Sequence, residues 1–217
     1  MKKPTSSQFS LHDEDITAGL APFQIIPSAD QIIKIREYIR ILLRWNKSIS
    51  LTTVVDPVEI LARHFGESIF ACSLLPVENC RLADIGTGAG FPGLALKIAC
   101  PNLRVVLVEP NKKKCAFLNE VIRTLELNDV EVITSRFDEI RANPDYANII
   151  TARALGGFPD LMRWAKGSLS FRGHIVLWLG SEDSTKVSAE PGWIWQPPVK
   201  IPESQRRFIL IGRPRPD

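Results

Sequence analysis

The stretch Asp84-Ile85-Gly86-Thr87-Gly88-Ala89-Gly90-Phe91-Pro92-Gly93 decides how the rest of the chain is read. A short apolar run, Leu82 to Ile85, leads into it, and a helical pattern leaves it and ends near Ala99, before Pro101. This is strand, tight turn, helix, and the glycines let the turn take left-handed backbone and lie close to a ligand. No Lys-Ser or Lys-Thr pair follows Gly93, which excludes a nucleotide-triphosphate loop. Two patterns fit. Counted from Gly88, glycines 88, 90 and 93 satisfy the dinucleotide fingerprint G-x-G-x-x-G; counted from Asp84, the run is an acid followed by G-x-G-x-G, the turn of S-adenosylmethionine (AdoMet) enzymes. The glycines alone do not choose.

Downstream, strands and helices alternate. Arg104 to Glu109 is a nearly continuous apolar run of the buried parallel type. Lys112 to Leu127 reads as a helix with Phe117, Val121 and Leu125 on one seam, Val130 to Thr134 as a third strand and Ala147 to Ala152 as a fourth. A helix over Phe158 to Leu169 and a fifth strand, His174 to Leu179, follow. Trp193 to Trp195 and Arg207 to Ile211 leave no room for a crossover helix, so they form an antiparallel pair at the sheet edge. The expected fold is a doubly wound α/β sheet, Rossmann-like, with its ligand at the carboxyl ends of the first strands. Asp84 can attract a cationic cofactor and would repel a pyrophosphate. Glu109, 23 residues after Gly86, can accept hydrogen bonds from ribose hydroxyls in either cofactor class. The closing antiparallel pair is the usual ending of the AdoMet fold, and together these features favour AdoMet over a nicotinamide nucleotide.

Upstream, residues 1–27 show no sustained period and read as a loosely attached arm. Ser28 is a candidate N-cap for a helix burying Ile32, Ile35, Ile39 and Leu42. Its other side carries Arg36, Arg40, Arg44 and Lys47, either a solvated face or a stripe turned toward phosphates. Asp56-Pro57-Val58-Glu59 is a strong helix start. That helix is predicted to run to about Leu75 with Leu61, Phe65, Ile69 and Cys72 inward, closed by Pro76. The organisation expected is an arm over 1–27, a helical extension over 28–76 and a methyltransferase domain over 77–217.

The 217 residues, 45% hydrophobic and 24% charged, are those of an ordinary globular chain able to bury about 70% of its unfolded surface. A net charge of +3 excludes binding of nucleic acid by bulk charge, so any such partner must meet local positive clusters. Asp13-Glu14-Asp15 falls where a signal peptide needs apolar residues, and no apolar run approaches 18 residues, so a cytoplasmic protein without a membrane span is expected. Cys72, Cys80, Cys100 and Cys115 lie 7, 19 and 14 residues apart and the three histidines are scattered, so no metal site is predicted.

The acceptor is narrowed by what the fourth strand runs into. Thr151-Ala152-Arg153-Ala154-Leu155 lacks the Asn/Asp-Pro-Pro-aromatic turn used on exocyclic amines, and no cysteine beyond 115 is available as a pyrimidine nucleophile. A ring nitrogen such as guanine N7 attacks with its own lone pair, so no catalytic base is expected and positioning would supply most of the acceleration.

Trp45-Asn46-Lys47, Leu51-Thr52, Asp56-Pro57, Arg63-His64, Glu67-Ser68, the glycine turn and Ala152-Arg153-Ala154 together resemble the bacterial ribosomal RNA small subunit methyltransferase G family over roughly residues 30–180. The resemblance implies a class I AdoMet-dependent methyltransferase acting on N7 of a guanine in 16S ribosomal RNA, alone or in the small-subunit particle, and working as a monomer. It implies Asp84, Gly86, Gly88, Gly90 and Phe91 at the cofactor turn, Glu109 on the ribose, Phe137 and Asp138 around the adenine, and Arg153 at the cofactor or the target base. From the residues alone, Phe137 is equally a core side chain, and Arg153 could instead pair with Glu109 or Asp138. Candidate RNA contacts are Arg36, Arg40, Arg44, Lys47, Arg63, His64, Lys112, Lys113 and Lys114. The chain departs from the family pattern with Ser50 where Asn is usual and Glu67 where Asp is usual. Competing readings are an AdoMet enzyme for a small molecule or protein, with the basic residues solvated, and a nicotinamide-dependent oxidoreductase or non-catalytic nucleotide-binding module.

Overall fold

A computed structural model describes residues 11–75, 77, 79–153 and 156–216. The helical prefix begins with α1 (Asp13–Leu20), followed by the 3-10 turn Ala21–Phe23 and by α2 (Ala29–Asn46). Ser28 caps α2 as its sequence predicts: its hydroxyl accepts from the Gln31 N–H, and the Gln31 side chain returns a bond to the Ser28 N–H. Ile32, Ile35, Ile39 and Leu42 are buried, and Tyr38 and Ile41 join them.

The next helix starts as expected, with Asp56 Oδ1 accepting from the Glu59 N–H at 2.8 Å, but α3 is only Pro57–Ile60. The chain then widens into a π-helical stretch, Leu61–Gly66, and returns through α4 (Glu67–Ile69) to a 3-10 end at Phe70–Ser73. The expected closure at Pro76 lies outside the described residues.

The expectation of a loosely attached arm fails for Leu11 to Phe23. Ile16 and Leu20 are fully buried and Phe23 nearly so. Gly66 has no room for a side chain because the Phe23 ring would lie 2.3 Å from its Cβ. With only Ile16 and Leu20 as buried residues in eight, α1 has too little period of its own to be seen; its contacts with α2 and the π-helical stretch hold it.

The sheet has the order β3-β2-β1-β4-β5-β8-β6, with β7 also paired to β8. Its strands are β1 (Arg81–Ile85), β2 (Arg104–Val108), β3 (Val130–Ile133), β4 (Ala147–Arg153), β5 (Leu169–Gly180), β6 (Trp193–Trp195), β7 (Val199–Lys200) and β8 (Arg207–Pro214). The first five are parallel, and the last three form the antiparallel edge, β8 lying between β5 and β6. Successive side chains on the inner strands enter opposite cores. Leu82, Val105, Leu107 and Ile149 pack with α2, α5 (Gly93–Ala99) and α6 (Lys112–Thr124), whereas Ala83, Val106, Val108 and Ile150 pack with α7 (Phe158–Lys166) and α8 (Ser181–Ser188). The first core also takes in Tyr38, Leu42, Leu61 and Phe65, so the prefix shares one apolar interior with the sheet. Strand order reverses between β1 and β4, which opens the ligand crevice at their carboxyl ends.

Candidate active site

The glycine turn leaves β1 at that switch point. The Gly86 and Thr87 N–H groups donate to the Val108 carbonyl at 2.9 and 3.2 Å, tying the turn to β2. Gly86, Gly88 and Gly90 all have positive φ (66°, 59° and 84°), which side-chain-bearing residues adopt at a cost. Around Gly88 there is open space, since a Cβ there would meet only the Gly86 carbonyl at 3.9 Å, and a ligand can lie against its backbone.

The Asp84 carboxylate builds this turn. It is fully buried, with Oδ2 accepting from Thr87 Oγ1 (2.5 Å) and the Gly93 N–H (2.9 Å) and Oδ1 accepting from Thr151 Oγ1 (2.8 Å). Burial raises its pKa to about 6 against the pull of those hydrogen bonds. This corrects the expectation that Asp84 attracts the cofactor's charge directly: its oxygens face the turn and β4. Phe91 is likewise a core residue by its ring, stacked on Tyr38 (5.3 Å, 13°) and His64 (4.9 Å, 25°) and edge-on to Phe65. Only its backbone remains for a cofactor. The Tyr38 hydroxyl donates to the Ala89 carbonyl at 2.6 Å and would meet a Cβ on Gly90 at 2.2 Å, so α2 presses on the turn from beneath.

Glu109 follows β2 as predicted. Its Oε2 accepts from the Gly88 N–H (3.0 Å) and its Oε1 from the Asn111 N–H (2.9 Å), which fixes the carboxylate and leaves a further lone pair on each oxygen. Beyond β3, Phe137 and Asp138 lie in a 3-10 turn, Phe137–Glu139. Phe137 is half-buried, edge-on to Trp164 at 6.0 Å, and Asp138 is exposed with both oxygens 3.0 Å from Arg136, which lowers its pKa.

At the end of β4, Arg153 reaches neither Glu109 nor Asp138. Its Nη2 donates to the Arg63 carbonyl (2.8 Å) and to Glu67 Oε2 (3.2 Å), and Glu67 Oε1 takes Arg207 at 2.6 Å. Trp178 Nε1 donates to the Glu67 carbonyl at 2.8 Å. The π-helical stretch is what presents the Arg63 carbonyl to a side chain. Arg63, Arg153, Trp178 and Arg207 line a cavity of 440 Å³ beside the ends of β4 and β5.

The basic stripe of α2 meets acids of its neighbours. Arg36 pairs with Asp13 and donates to the Leu11 carbonyl, Arg40 pairs with Glu37 at 2.7 Å, and Arg44 pairs with Glu120 of α6. Three of the four cations therefore carry an acid partner, with Arg40 and Arg44 still exposed, and Lys47 is exposed at the end of the helix. Arg63 Nη1 pairs with Glu59 at 2.7 Å. His64 is not a cationic phosphate contact: it shares a 2.9 Å hydrogen bond with Thr52, and burial together with the charges of Arg153, Arg63 and Arg207 lowers its pKa to about 3. Lys112 and Lys113 are exposed and Lys114 half-buried at the start of α6, on the same rim as Glu109. Tyr38, Arg207 and Trp178 were not anticipated, and Glu67, Thr87 and Thr151 entered only as members of motifs, without a role of their own. Tyr38 falls on the apolar face of α2, but nothing in its spacing tells that it meets the turn.

A mostly parallel Rossmann-like sheet with a glycine turn after β1 and an acid after β2 defines a class I methyltransferase fold. Solved structures agree: a SAM dependent methyltransferase from Aquifex aeolicus superposes with a TM-score of 0.60 at 15% identity, covering 72% of this chain and 93% of that one. The ribosomal protein L11 methylase of Lactobacillus delbrueckii subsp. bulgaricus gives 0.59 at 14% identity over 71% and 79%. At such identities the likeness shows the fold alone. The family comes from sequence. The model for rRNA small subunit methyltransferase G, GidB, matches residues 31–193, and the chain belongs to that family. Proteins named ribosomal RNA small subunit methyltransferase G from Xylella fastidiosa (strain 9a5c) and Roseiflexus castenholzii (strain DSM 13941 / HLO8) are 33% and 39% identical to it, over 93% and 83% of this chain and 96% and 82% of theirs.

Proposed function

We propose that the protein transfers the methyl group of AdoMet to N7 of a guanine in 16S ribosomal RNA, free or in the small-subunit particle. The family match over residues 31–193 carries this reading, and the glycine turn with Glu109 supports it. When bound, AdoMet supplies an electrophilic methyl group, which the N7 lone pair takes without loss of a proton. The residues fit such a cofactor: Gly88 leaves a space that a Cβ would fill, and Glu109 keeps lone pairs for two ribose hydroxyls. Asp84, through Thr87, Gly93 and Thr151, holds the turn in shape without touching the ligand. Phe137 and Asp138 are proposed at the adenine, on the strength of their place beyond β3.

No base is required, so the protein's task is alignment of acceptor and methyl group while water is kept away. The order of the sheet divides the rim, with the β1, β2 and β3 ends proposed for the nucleotide and the β4 and β5 ends for the acceptor. Lys112, Lys113 and Lys114 are proposed RNA contacts. They open a helix, where cations oppose the macrodipole, so helix stability does not account for them. Among the described residues no helix is long and apolar enough to cross a membrane and no group of side chains could hold a metal. With a ribosomal substrate, a cytoplasmic enzyme acting as a monomer is part of the proposal. The test is methyl transfer from labelled AdoMet to small-subunit RNA. Labelling of N7-guanine supports the reading, whereas labelling of protein or small molecules only, or binding of NADH with AdoMet ignored, overturns it.

A further inference from the structure

Two of the four cysteines meet from separate parts of the chain: Cys72 Sγ and Cys100 Sγ lie 3.6 Å apart across 28 residues of sequence. Cys72 belongs to the 3-10 end of the helical prefix, Phe70–Ser73, and Cys100 caps the carboxyl end of α5. Both backbones are held in place. The Ser73 hydroxyl donates to the Phe70 carbonyl at 2.8 Å and the Leu74 N–H to the Ala71 carbonyl at 3.0 Å, while the Cys100 N–H donates to the Leu96 carbonyl at 2.8 Å. Gln31 of α2 ties the same end of α5, its Nε2 donating to the Ile98 and Ala99 carbonyls at 3.2 and 3.1 Å. The fold therefore makes the two sulfurs neighbours. Both cysteines are half-buried on the wall of a 280 Å³ cavity, where a small reagent can reach them. The other two cysteines stand differently: Cys115 is buried with its thiol donating to the Glu109 carbonyl at 3.1 Å, and burial pushes the Cys80 thiol up. Methyl transfer to a ring nitrogen has no use for a dithiol, and neither Cys72 nor Cys100 is among the residues proposed for AdoMet or RNA.

We propose that Cys72 and Cys100 are a redox-active dithiol, which a small disulfide of the glutathione class oxidises to an intramolecular disulfide. One protein thiolate attacks the small disulfide, forming a mixed disulfide and releasing the first small thiolate. The other protein thiolate then attacks the protein sulfur of that mixed disulfide and releases the second. Two protein thiols are oxidised, one small disulfide is reduced, and the two protons given up by the protein pass to the two released thiolates. The sulfurs have to close by only about 1.6 Å to reach bonding distance, which side-chain rotation supplies. The new bond joins the helical prefix to α5 and closes a loop that contains β1 and the glycine turn, so it opposes unfolding of the scaffold that carries the turn. In reducing surroundings the pair stays a dithiol, and the bond forms as small disulfide accumulates.

The test is incubation of the whole chain with oxidised glutathione at mildly alkaline pH, followed by an acid quench, alkylation after denaturation, mass spectrometry and, on the native protein, thermal melting. We expect wild type to lose two hydrogens and two alkylatable thiols, to yield a peptide pair linked through Cys72 and Cys100, and to return to the dithiol on addition of dithiothreitol. Its melting temperature should rise by roughly 5 °C or more while oxidised, the effect of closing a loop of this length in a chain of this size. Cys72→Ser and Cys100→Ser should each stop at the mixed disulfide, with one glutathione on the remaining cysteine of the pair. Should a serine variant fail to fold, the peptide map of wild type decides alone. Retention of all the thiols overturns the dithiol, as does a linked pair involving Cys80 or Cys115, or a wild type that accumulates as the glutathione adduct. An oxidised protein that melts no higher than the reduced one overturns its role as a staple. None of these readings uses AdoMet or RNA, so they stand or fall apart from the methyl-transfer test.

Discussion

The Tyr38 hydroxyl ties the helical prefix to the backbone of the glycine turn by a hydrogen bond, beside the ring contacts of Phe91, and its removal has a defined cost. Tyr38→Phe strips the buried Ala89 carbonyl of its donor, so urea unfolding should show a loss of about 1–3 kcal/mol. AdoMet affinity should fall with it, since the backbone that loosens is the backbone proposed to meet the cofactor. Glu109→Gln keeps the shape but turns amide donors toward the Gly88 or Asn111 N–H, and calorimetry should record AdoMet binding weakened about 10-fold or more, the effect of losing a charge-assisted bond. Stability against pH reads two further residues, with opposite signs. His64 titrates at about 3 in the fold and near 6.5 when exposed, so the stability tied to its neutral form is complete above pH 6.5 and is lost as pH falls toward 3. Asp84, at about 6 in the fold against 3.8, binds its proton more tightly when folded, so its contribution is complete below 3.8 and is lost as pH rises through 6. His64→Gln should therefore show a smaller fall in melting temperature between pH 7 and pH 4 than wild type, and an equal fall contradicts the assignment. Of these residues Glu109 was legible from its spacing, whereas the inward roles of Asp84, Phe91 and His64 depend on neighbours more than 50 residues away in Thr151, Tyr38 and Arg153.

Among the elements, α6 and α2 carry similar basic runs with different fates. Arg40 and Arg44 neutralise Glu37 and Glu120, whereas Lys112, Lys113 and Lys114 sit at a helix start capped by Asn111, whose side chain accepts from the Lys113 and Lys114 N–H groups. Replacing the three lysines with alanine should lower the salt slope of RNA binding by about 2.1 to 2.7, at roughly 0.7 to 0.9 per lost contact. Replacing Arg40 and Arg44 with alanine should leave that slope unchanged. Charge spacing could not separate the two runs, because the acids that absorb the α2 stripe include Glu120, 76 residues from Arg44. The strands other than the two-residue β7, the Ser28 and Asp56 caps and the antiparallel closing edge were legible, since each is decided by local pattern. The helix α8 was not: Ser181–Ser188 buries one large apolar residue, Val187, and its packing on β5 and β8 holds it. The π-helical stretch was also hidden, as its sequence keeps the ordinary seam of Leu61, Phe65 and Ile69.

At the scale of the whole molecule, Glu67 is the junction between prefix, sheet and closing edge. Its carboxylate joins α4 to β4 through Arg153 and to β8 through Arg207, and its backbone carbonyl receives the Trp178 N–H from β5. Glu67→Ala leaves two arginines without their shared partner, and denaturant unfolding should show a loss of about 3–5 kcal/mol, far above that of a surface pair such as Asp160–Arg163. The junction keeps the side of the rim proposed for the acceptor in register with the side proposed for the cofactor, as alignment without a catalytic base would demand. The account stands on that transfer taking place on ribosomal RNA. Its most direct measurement is the mapping of N7-methylguanine in 16S ribosomal RNA from cells with the gene, without it, and with the gene carrying Glu109→Gln. The account predicts one N7-methylguanine that disappears with the gene, returns with the wild-type copy and returns at a reduced level with Glu109→Gln. An unchanged set of methylated guanines in cells lacking the gene would contradict it.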